Sequence, residues 1–444
     1  MNKNYLQKSV VLLIVMSTIP ILSSSITTID AQIIEKTEDM TCQNYDLNIV
    51  DMINQVNDSL IYKYLDGLMD FSPRYTGTII CNQAAEYIYN EFNKMGLYAY
   101  IDEWKHLGYR SQNVVANING TDPHSDAVFI LCAHYDTAEN SPGANDDGSG
   151  VAMMLSIASV LHHYSFNHTI RFVAFAGEEL GMLGSQKYVR KTYDQNENIM
   201  AAINLDTLGY TETERGGRYV QMLCPERNMW ISTFFQNITK TYNNYINLNI
   251  EILPNHPCDH DSFTQFGYDA IMLMQYDPLV YFHGPDDVID HINFTYLNKI
   301  TKLVTAAIAS LADKPIELQI RIVTPMEDSF YLFDKRIFKH SNLYLSRARF
   351  GRTYILGSCI VRVNITTNEE VEKIIYCIDD FHQLTYKSKL YPDKPIEWRI
   401  RGYDSALTGK HKLGVYVYTV TGKVAYDEMD ITAFTFNRYY WWFL

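Results

Sequence analysis

Several common signatures are missing from this 444-residue sequence. No C-x-x-C pair occurs, which excludes a zinc finger built on closely spaced thiolates. No G-x-S-x-G motif occurs, so the sequence does not indicate a serine nucleophile on a strand-to-helix turn. Basic runs are also absent, and the formal net charge of −14 disfavours binding to nucleic acid or to anionic lipid. The length suggests about two or three domains.

The first thirty or so residues have the pattern of an export signal. Two lysines precede the apolar run Val10–Leu22, and small residues follow it. This order is typical of a secretory signal peptide, and we expect residues 1–31 to be one. An uncleaved membrane anchor is the alternative, although the run is shorter than the ~20 residues that span a bilayer. No later segment is long and apolar enough to cross a membrane, so we expect a secreted or extracellular protein that is either released or held at the cell surface.

Two further features agree with export. N-x-S/T sequons, the acceptor sites for N-glycosylation, occur at Asn57, Asn119, Asn167, Asn237, Asn293 and Asn364. The sequence contains 7 cysteines, and an oxidising compartment allows cysteines to form disulfides. An odd number leaves at least one of them without an intrachain partner. Cys132 lies inside an apolar strand pattern and is the candidate for a buried free thiol.

Alternating helix and strand patterns predict a layered α/β domain over residues 40–313. Apolar residues recur at helical spacing between Asn44 and Gly96, and a second helix is predicted over Val151–Tyr164. Continuous apolar runs are typical of strands that are covered on both faces. Such runs are found at Ala127–Ala133, Thr169–Ala176, Ala201–Leu205 and Ala270–Met274.

The hydrophobic pattern changes after Asp313–Pro315, which we interpret as a linker. Apolar and polar residues then alternate with period two, for example over 317–322 and 412–417. This alternation predicts an all-β antiparallel sandwich over residues 315–444, with Trp398 in its core. Scaffolding is the simplest role for this tail, and contact with a surface polymer or another protein is the alternative.

Polar residues follow the predicted strands, at the edge where open α/β sheets bind ligands. His134 ends the first strand and Asp136 lies two residues later, on the same face of an extended chain. His134 is therefore a candidate metal ligand, with Asp136 accepting the hydrogen bond of its other ring nitrogen. Asp146 and Asp147 lie in the glycine-rich stretch Pro142–Gly150, where one carboxylate can bridge two cations. Taken alone, this stretch is better explained as a helix N-cap, a position that Asp, Ser and Gly all favour.

Three later segments complete the set. Glu178 and Glu179 directly follow the second strand, where one can ligate a metal while its neighbour activates a water. A solvated strand end is the alternative for this pair. Asp206 and His283 follow later strands, where a lone residue of either type is usually structural. Five imidazole and carboxylate ligands together suffice for two zinc ions that share a carboxylate and a water.

At these residues the sequence resembles the co-catalytic zinc exopeptidases, the group that contains bacterial leucyl aminopeptidase, aminopeptidase Y and glutamate carboxypeptidase. The matching strings occur in family order over about residues 44–312. They are H-Y-D, P-G-A-N-D-D-G-S-G, G-E-E-L-G-M-L-G-S, N-L-D and the late histidine. The stretch Asp259–Phe263 also resembles a D-H-x-x-F string that many members carry near the substrate pocket. The resemblance implies a three-layer α/β/α domain with a mostly parallel mixed sheet, and the tail is similar to Ig-like modules of secreted enzymes.

The resemblance also implies two zinc ions per chain and a division of the ligands between them. Asp146 would bridge the two ions, and the other ligands would pair as His134 with Asp206 and Glu179 with His283.

The remaining roles concern catalysis. Glu178 would be the general base and acid, Asp136 would orient His134, and Asp147 would be structural. The implied reaction is hydrolysis of the N-terminal bond of a peptide.

Three alternatives remain. A glutaminyl cyclase has the same fold but uses one zinc ion, so metal stoichiometry separates it from a peptidase. A carboxypeptidase or dipeptidase would differ in the substrates that it cuts. A receptor-like ectodomain without catalysis is disfavoured because all five ligands and Glu178 are present.

Overall fold

The structure is a computed structural model. It describes the chain from Tyr45 to Thr435 apart from residues 124, 196, 226–227, 255, 316–317, 328, 340–352, 368, 388–396 and 401–406. The predicted signal peptide at residues 1–31 lies outside the described residues. Within the part that the structure describes, no helix has the length and apolarity needed to cross a bilayer.

The helices of the described part surround one large sheet. They are α1 (Leu47–Gln55), α2 (Asp58–Met69), α3 (Ile79–Lys94), α4 (Gly148–Leu161), α5 (Leu183–Asp194), α6 (Met229–Thr241), α7 (Asn243–Ile246), α8 (Asp259–Gln265) and α9 (Phe294–Asp313). The predicted helical stretch before Gly96 is divided into α1, α2 and α3. Side-chain caps explain the divisions, because Asn57 accepts from the Leu60 amide and Thr78 from the Cys81 amide.

Eight strands form the sheet of the first domain. They are β1 (Tyr98–His106), β2 (Tyr109–Ile118), β3 (Val128–His134), β4 (Thr169–Phe175), β5 (Ile199–Leu205), β6 (Tyr219–Leu223), β7 (Asn249–Leu253) and β8 (Ala270–Gln275). Their order is β1-β2-β4-β3-β5-β8-β6-β7. The central strands β4, β3, β5 and β8 are mutually parallel, whereas β1, β2 and β6 add antiparallel pairs. The four apolar runs predicted as strands are confirmed.

Both faces of this sheet are covered. On β3, Leu131 and Ala133 pack in one core cluster with residues of α1, α2, α3, α4, α6 and α9. The alternate residues Ile130 and Cys132 pack in a second cluster, which contains residues of α5 and α8. Successive residues of a strand point to opposite faces, so a fully apolar strand needs helices on both sides. The predicted three-layer α/β/α arrangement is confirmed.

Two all-β sheets follow α9. Their strands are β9 (Gln319–Thr324), β10 (Ser329–Leu332), β11 (Lys335–Lys339), β12 (Thr353–Leu356), β13 (Cys359–Thr366), β14 (Val371–Ile378), β15 (Phe381–Lys387), β16 (Glu397–Ile400), β17 (Thr408–Thr419) and β18 (Val424–Phe434). One sheet has the order β11-β10-β12-β18-β17-β14-β15 and the other β16-β13-β9.

A shared core joins these two sheets, as a sandwich requires. It includes Val361 of the smaller sheet and Val415 of the larger one, and Trp398 packs at its border. The prediction of purely antiparallel strands is too simple, because β12 runs parallel to both of its neighbours, β10 and β18. The Ig-like assignment of this tail stays a prediction.

The C-terminal sheets pack against the face that carries α5 and α8. Met326, just after β9, joins the apolar cluster of that face. The Arg336 guanidinium donates to the Gln265 carbonyl oxygen at 2.6 Å, and the Arg321 guanidinium pairs with the Asp269 carboxylate. Apolar and charged contacts therefore both hold the tail to the first domain.

The cysteines of the described part are all buried and form no disulfides; they are Cys81, Cys132, Cys224, Cys258, Cys359 and Cys377. The prediction of a buried free thiol at Cys132 is confirmed.

The buried strand β3 gives a direct test of this core. Leu131 is fully buried, whereas Leu47 is 79% exposed. We expect Leu131→Ala to lower the free energy of unfolding by about 2–5 kcal/mol, because it leaves a cavity between the sheet and its helices. Leu47→Ala is the matched control and should change it by less than about 0.5 kcal/mol. Denaturant titration measures both, and equal effects would contradict this packing.

Candidate metal centre

The predicted ligands meet at one edge of the large sheet. His134 is the last residue of β3, Glu179 follows β4 and Asp206 follows β5. Because these strands are parallel, their carboxyl ends lie at the same edge. Asp146 lies in the turn before α4, and His283 lies in the loop beyond β8. The structure thus brings together all five residues that the sequence indicated.

Asp146 lies between the two histidines. Its Oδ1 atom is 3.2 Å from His134 Nε2, and its Oδ2 atom is 3.4 Å from His283 Nε2. Each carboxylate oxygen therefore faces a different imidazole. The remaining ligands lie on the expected sides, since Asp206 Oδ1 is 3.9 Å from His134 Nε2 and Glu179 Oε2 is 2.9 Å from His283 Nε2.

Donor atoms within 4.8 Å of one another define two candidate metal groups in the described part. One consists of Asp146, Glu179 and His283, and the other of His134, Asp147 and Asp206. The second group contains Asp147 where the sequence predicts Asp146. The hydrogen bonds of Asp147 argue against a ligand role, because its two oxygens accept from the backbone amides of His134, Gly150 and Thr207. Asp147 is thus engaged in holding the backbone, which agrees with its predicted structural role.

The chemistry of these side chains also suits a bound cation. Asp146 Oδ2 is buried and accepts no hydrogen bond among the described residues, which is costly for a charged oxygen unless a cation compensates it. Imidazole nitrogens and carboxylate oxygens are suitable ligands for zinc.

Asp136 contacts His134 through two oxygens. His134 Nδ1 lies 3.1 Å from the Asp136 main-chain oxygen and 3.5 Å from its Oδ1 atom. The Asp136 carboxylate also accepts from the Thr76 hydroxyl at 2.8 Å and from the Glu178 amide at 3.2 Å. The main-chain oxygen is therefore the nearer acceptor for the ring, and an orienting role for the Asp136 carboxylate stays a prediction.

Burial raises the pKa values of three acidic side chains in this centre, Glu178, Glu179 and Asp206. It raises the pKa of Glu178 to about 7, although the neighbouring His134 opposes the shift. Burial together with the charge of Asp146 raises the pKa of Glu179 to about 8, and burial raises that of Asp206 to about 7. Burial alone would lower the pKa of His134, but hydrogen bonds to Asp136 and Asp146 raise it well above its usual range. These carboxylates are costly to ionise together without a cation.

Several supporting residues were missed at the sequence level. Asp287 accepts from the amide of Asn145 at 2.7 Å and from that of Asp146 at 3.0 Å, so it fixes the backbone of the central carboxylate. The fully buried Arg74 donates to the carbonyl oxygens of Tyr135, Pro142 and Gly143. Sequence pattern gives little sign of either role, because the partners lie about 60 to 140 positions away.

Most of the stretch Asp259–Phe263 is buried. Asp259 and His260 are fully buried at the start of α8, and burial lowers the pKa of His260 to about 4. The preceding Cys258 thiol donates to Asp206 Oδ2 at 2.9 Å. This stretch therefore contacts the centre through Cys258, a contact that the sequence did not indicate.

Comparison with known proteins relates the first domain to a known family. Residues 113–308, which contain all five predicted ligands, match the model of peptidase family M28. The match covers less than half of the chain, and it shows that this segment is similar to that family. Aminopeptidase YwaD of Bacillus subtilis (strain 168) is 34% identical over 199 residues, which are 43% of this chain and 42% of that protein. Aminopeptidase Y of Saccharomyces cerevisiae is 38% identical over 100 residues, or 22% of this chain and 18% of that protein. The chain therefore spans less than half the length of both relatives.

Solved structures share the fold of the first domain, which is called the M28 domain below because it contains the matching residues. BSAP, a zinc aminopeptidase from Bacillus subtilis, aligns with a TM-score of 0.52 and 19% identity over 58% of this chain and 96% of that chain. A glutaminyl cyclase from Fimbriiglobus ruber aligns with a TM-score of 0.51 and 19% identity over 57% of this chain and 95% of that chain. The family and the two groups of candidate ligands together support zinc as the metal.

Asp287 gives a test of how the metal loop is held. We expect Asp287→Ala to weaken zinc binding roughly 10–100-fold, because the Asn145 and Asp146 amides lose their acceptor and the backbone that carries the Asp146 carboxylate loses its support. Competition with a zinc-binding dye measures the affinity. Asp286→Ala, which removes the exposed neighbouring carboxylate, is the matched control and should leave the affinity unchanged.

Metal removal should change how stability depends on pH. In the folded metal-free protein the pKa values of Glu178, Glu179 and Asp206 lie near 7, 8 and 7, above the ~4 of unfolded carboxyls. A raised folded pKa favours the folded state below the unfolded pKa, and this contribution is lost as pH rises through the folded pKa.

We therefore expect the melting temperature of chelator-treated protein to fall, relative to that of the zinc-loaded protein, between about pH 5 and pH 8. Zinc binding releases these protons and should compensate the ionised carboxylates. Thermal melts of both forms across this range measure the difference, and a gap that stays constant or narrows with pH would contradict the expectation.

Proposed function

We propose that this protein is a secreted aminopeptidase that hydrolyses the N-terminal bond of peptides with two zinc ions. The position of Asp146 is the main support, because its two oxygens face imidazoles 3.2 Å and 3.4 Å away. A carboxylate placed in this way can serve one cation with each oxygen. His134 and Asp206 would hold the first ion, and Glu179 and His283 the second.

When bound, two zinc ions would lower the pKa of a shared water and polarise the scissile carbonyl. Glu178 is not needed as a ligand in this assignment. Its pKa of about 7 lies near neutral pH, where a carboxyl group can both take and return a proton. Glu178 would remove a proton from the attacking water and then deliver it to the leaving amine.

Export is the second part of the proposal. The cationic start, the apolar run Val10–Leu22 and the small residues after it support a signal peptide. Sequon residues Asn57 and Asn293 cap helices in the structure, so these two positions have a structural role whether or not they carry a glycan.

A glutaminyl cyclase is the second candidate, because one such enzyme shares the fold. Carboxypeptidase and dipeptidase activities are also compatible with the ligand set. The number of zinc ions and the preferred substrate separate these candidates. We expect two zinc ions per chain by elemental analysis and chelator-sensitive cleavage of aminoacyl arylamides. One zinc ion with cyclisation of N-terminal glutamine, or cleavage confined to C-terminal dipeptide substrates, would overturn the proposal.

The two adjacent glutamates provide the sharpest test of roles. We expect Glu178→Ala to keep near wild-type zinc content and to lower kcat by roughly 100-fold or more, because proton transfer is lost. Glu179→Ala should instead lose zinc, since it removes a ligand. Zinc content and aminoacyl-arylamide turnover are measured together for both variants.

Glu372→Ala, which removes an exposed carboxylate on β14, is the control and should change neither quantity. Turnover that survives in Glu178→Ala would show that the assigned proton carrier is wrong.

A further inference from the structure

A large cavity lies between the M28 domain and the C-terminal sheets, and none of the predicted metal ligands lines it. Its volume is 720 Å³, within the range of small-molecule sites. The M28 side contributes residues from the C-terminal ends of α5 and α8, including Arg190 and Phe266. The other side contributes residues around β10, β11 and β13, including Lys335, Arg336 and Arg362.

Positive charge predominates in this cavity, although the whole chain is acidic. Four cationic side chains line it against two carboxylates, Asp194 and Asp334. Asp194 pairs at 2.9 Å with Arg190, which is itself one of the four lining cations, and Asp334 lies 3.5 Å from Arg399, which is not a lining residue.

The remaining cations differ in their partners. Arg362 pairs with Glu397. Lys335 and Arg336 have no carboxylate partner among the residues that the structure describes. Two uncompensated positive charges therefore lie in one cavity.

Two of the guanidinium groups lie close to one aromatic ring. The Cζ atoms of Arg336 and Arg190 lie 5.0 Å and 5.9 Å from the centroid of Phe266. Arg190 is paired with Asp194, so Arg336 is the guanidinium of this pair that is left to bind an anion. Arg336 uses one amino group to donate to the Gln265 carbonyl, which fixes the guanidinium in place, and its planar fork suits an oxyanion.

Apolar side chains complete the lining. Phe266, Tyr331, Ile337 and Ile360 all contribute to the cavity. A bare ion would leave most of this volume unused, whereas an organic molecule with one charged group could fill it.

We propose that this interdomain cavity binds a small organic molecule through a doubly charged tetrahedral oxyanion, a phosphate or sulfate group. Arg336 and Lys335 hold the oxyanion, and the apolar lining contacts the organic part. The site is separate from the metal centre and does not depend on the peptidase reaction.

Equilibrium dialysis of the zinc-loaded full-length protein with radiolabelled inorganic phosphate and, separately, sulfate tests the oxyanion part. Chloride keeps the ionic strength equal in all samples, so general screening is matched. We expect saturable binding of one anion per chain. Tighter binding of phosphate or of sulfate would both support the site and identify which group it prefers.

Variants locate the binding. Lys335→Ala alters an exposed side chain, so it tests the site with little effect on folding. We expect it to weaken binding severalfold, and Lys335→Ala with Arg336→Ala to weaken it roughly tenfold or more, because charge-assisted hydrogen bonds are lost. Lys410→Ala removes an exposed lysine of the same seven-stranded sheet that does not line the cavity, and it should bind like the wild type.

Two results would overturn the proposal. One is binding of phosphate and sulfate that does not saturate, as expected for general ionic screening. Saturable binding that is equal in the wild type and in Lys335→Ala/Arg336→Ala would count against the proposal in the same way. The other is uptake that disappears with zinc removal or in Glu179→Ala but survives in the double variant, which would place the anion at the metal centre.

Discussion

Carboxylates held out of water at the end of a parallel sheet are the constraint on which this structure depends. Asp136, Asp146, Asp147, Asp206 and Asp259 are all at least nine-tenths buried, and Glu178 and Glu179 lie beside them. Lost hydration and mutual repulsion raise the pKa of Glu179 to about 8 and that of Asp206 to about 7. Folding around such a group requires compensation, and the chain supplies it with backbone amides for Asp147, with two histidines for Asp146, and with an arrangement that suits bound cations.

The parts of this arrangement that local sequence encodes were predictable. Each strand that ends at the centre is a continuous apolar run. Such runs are typical of strands that are buried on both faces, so the strands could be located from the sequence. His134, Glu179 and Asp206 were found because each follows such a run directly. The family resemblance then supplied the pairing of ligands, which spacing alone could not, and the distances from Asp146 to the two histidines agree with it.

What escaped prediction depends on contacts between distant segments. Asp287 and Arg74 are ordinary loop residues by sequence, and their importance appears only when the chain folds back on the 142–147 loop. The parallel strand β12 escaped for the same reason, because strand direction within a sheet depends on which neighbours it finds. The caps at Asn57 and Thr78 are local, so the signals that divide the first helical stretch are present in the sequence itself.

The buried guanidinium of Arg74 determines how far toward the N-terminus a fragment with an intact metal loop must extend. The family match begins at residue 113 and encloses every predicted ligand, yet three carbonyl oxygens on both sides of the bridging loop depend on a residue some forty positions earlier. A fragment cut to the family boundaries would retain all the metal-binding side chains but lose the clamp that holds their loop, and with it the Thr76 hydroxyl that supports Asp136. The smallest fragment that keeps the metal loop held as it is in this structure therefore has to include the segment between α2 and α3.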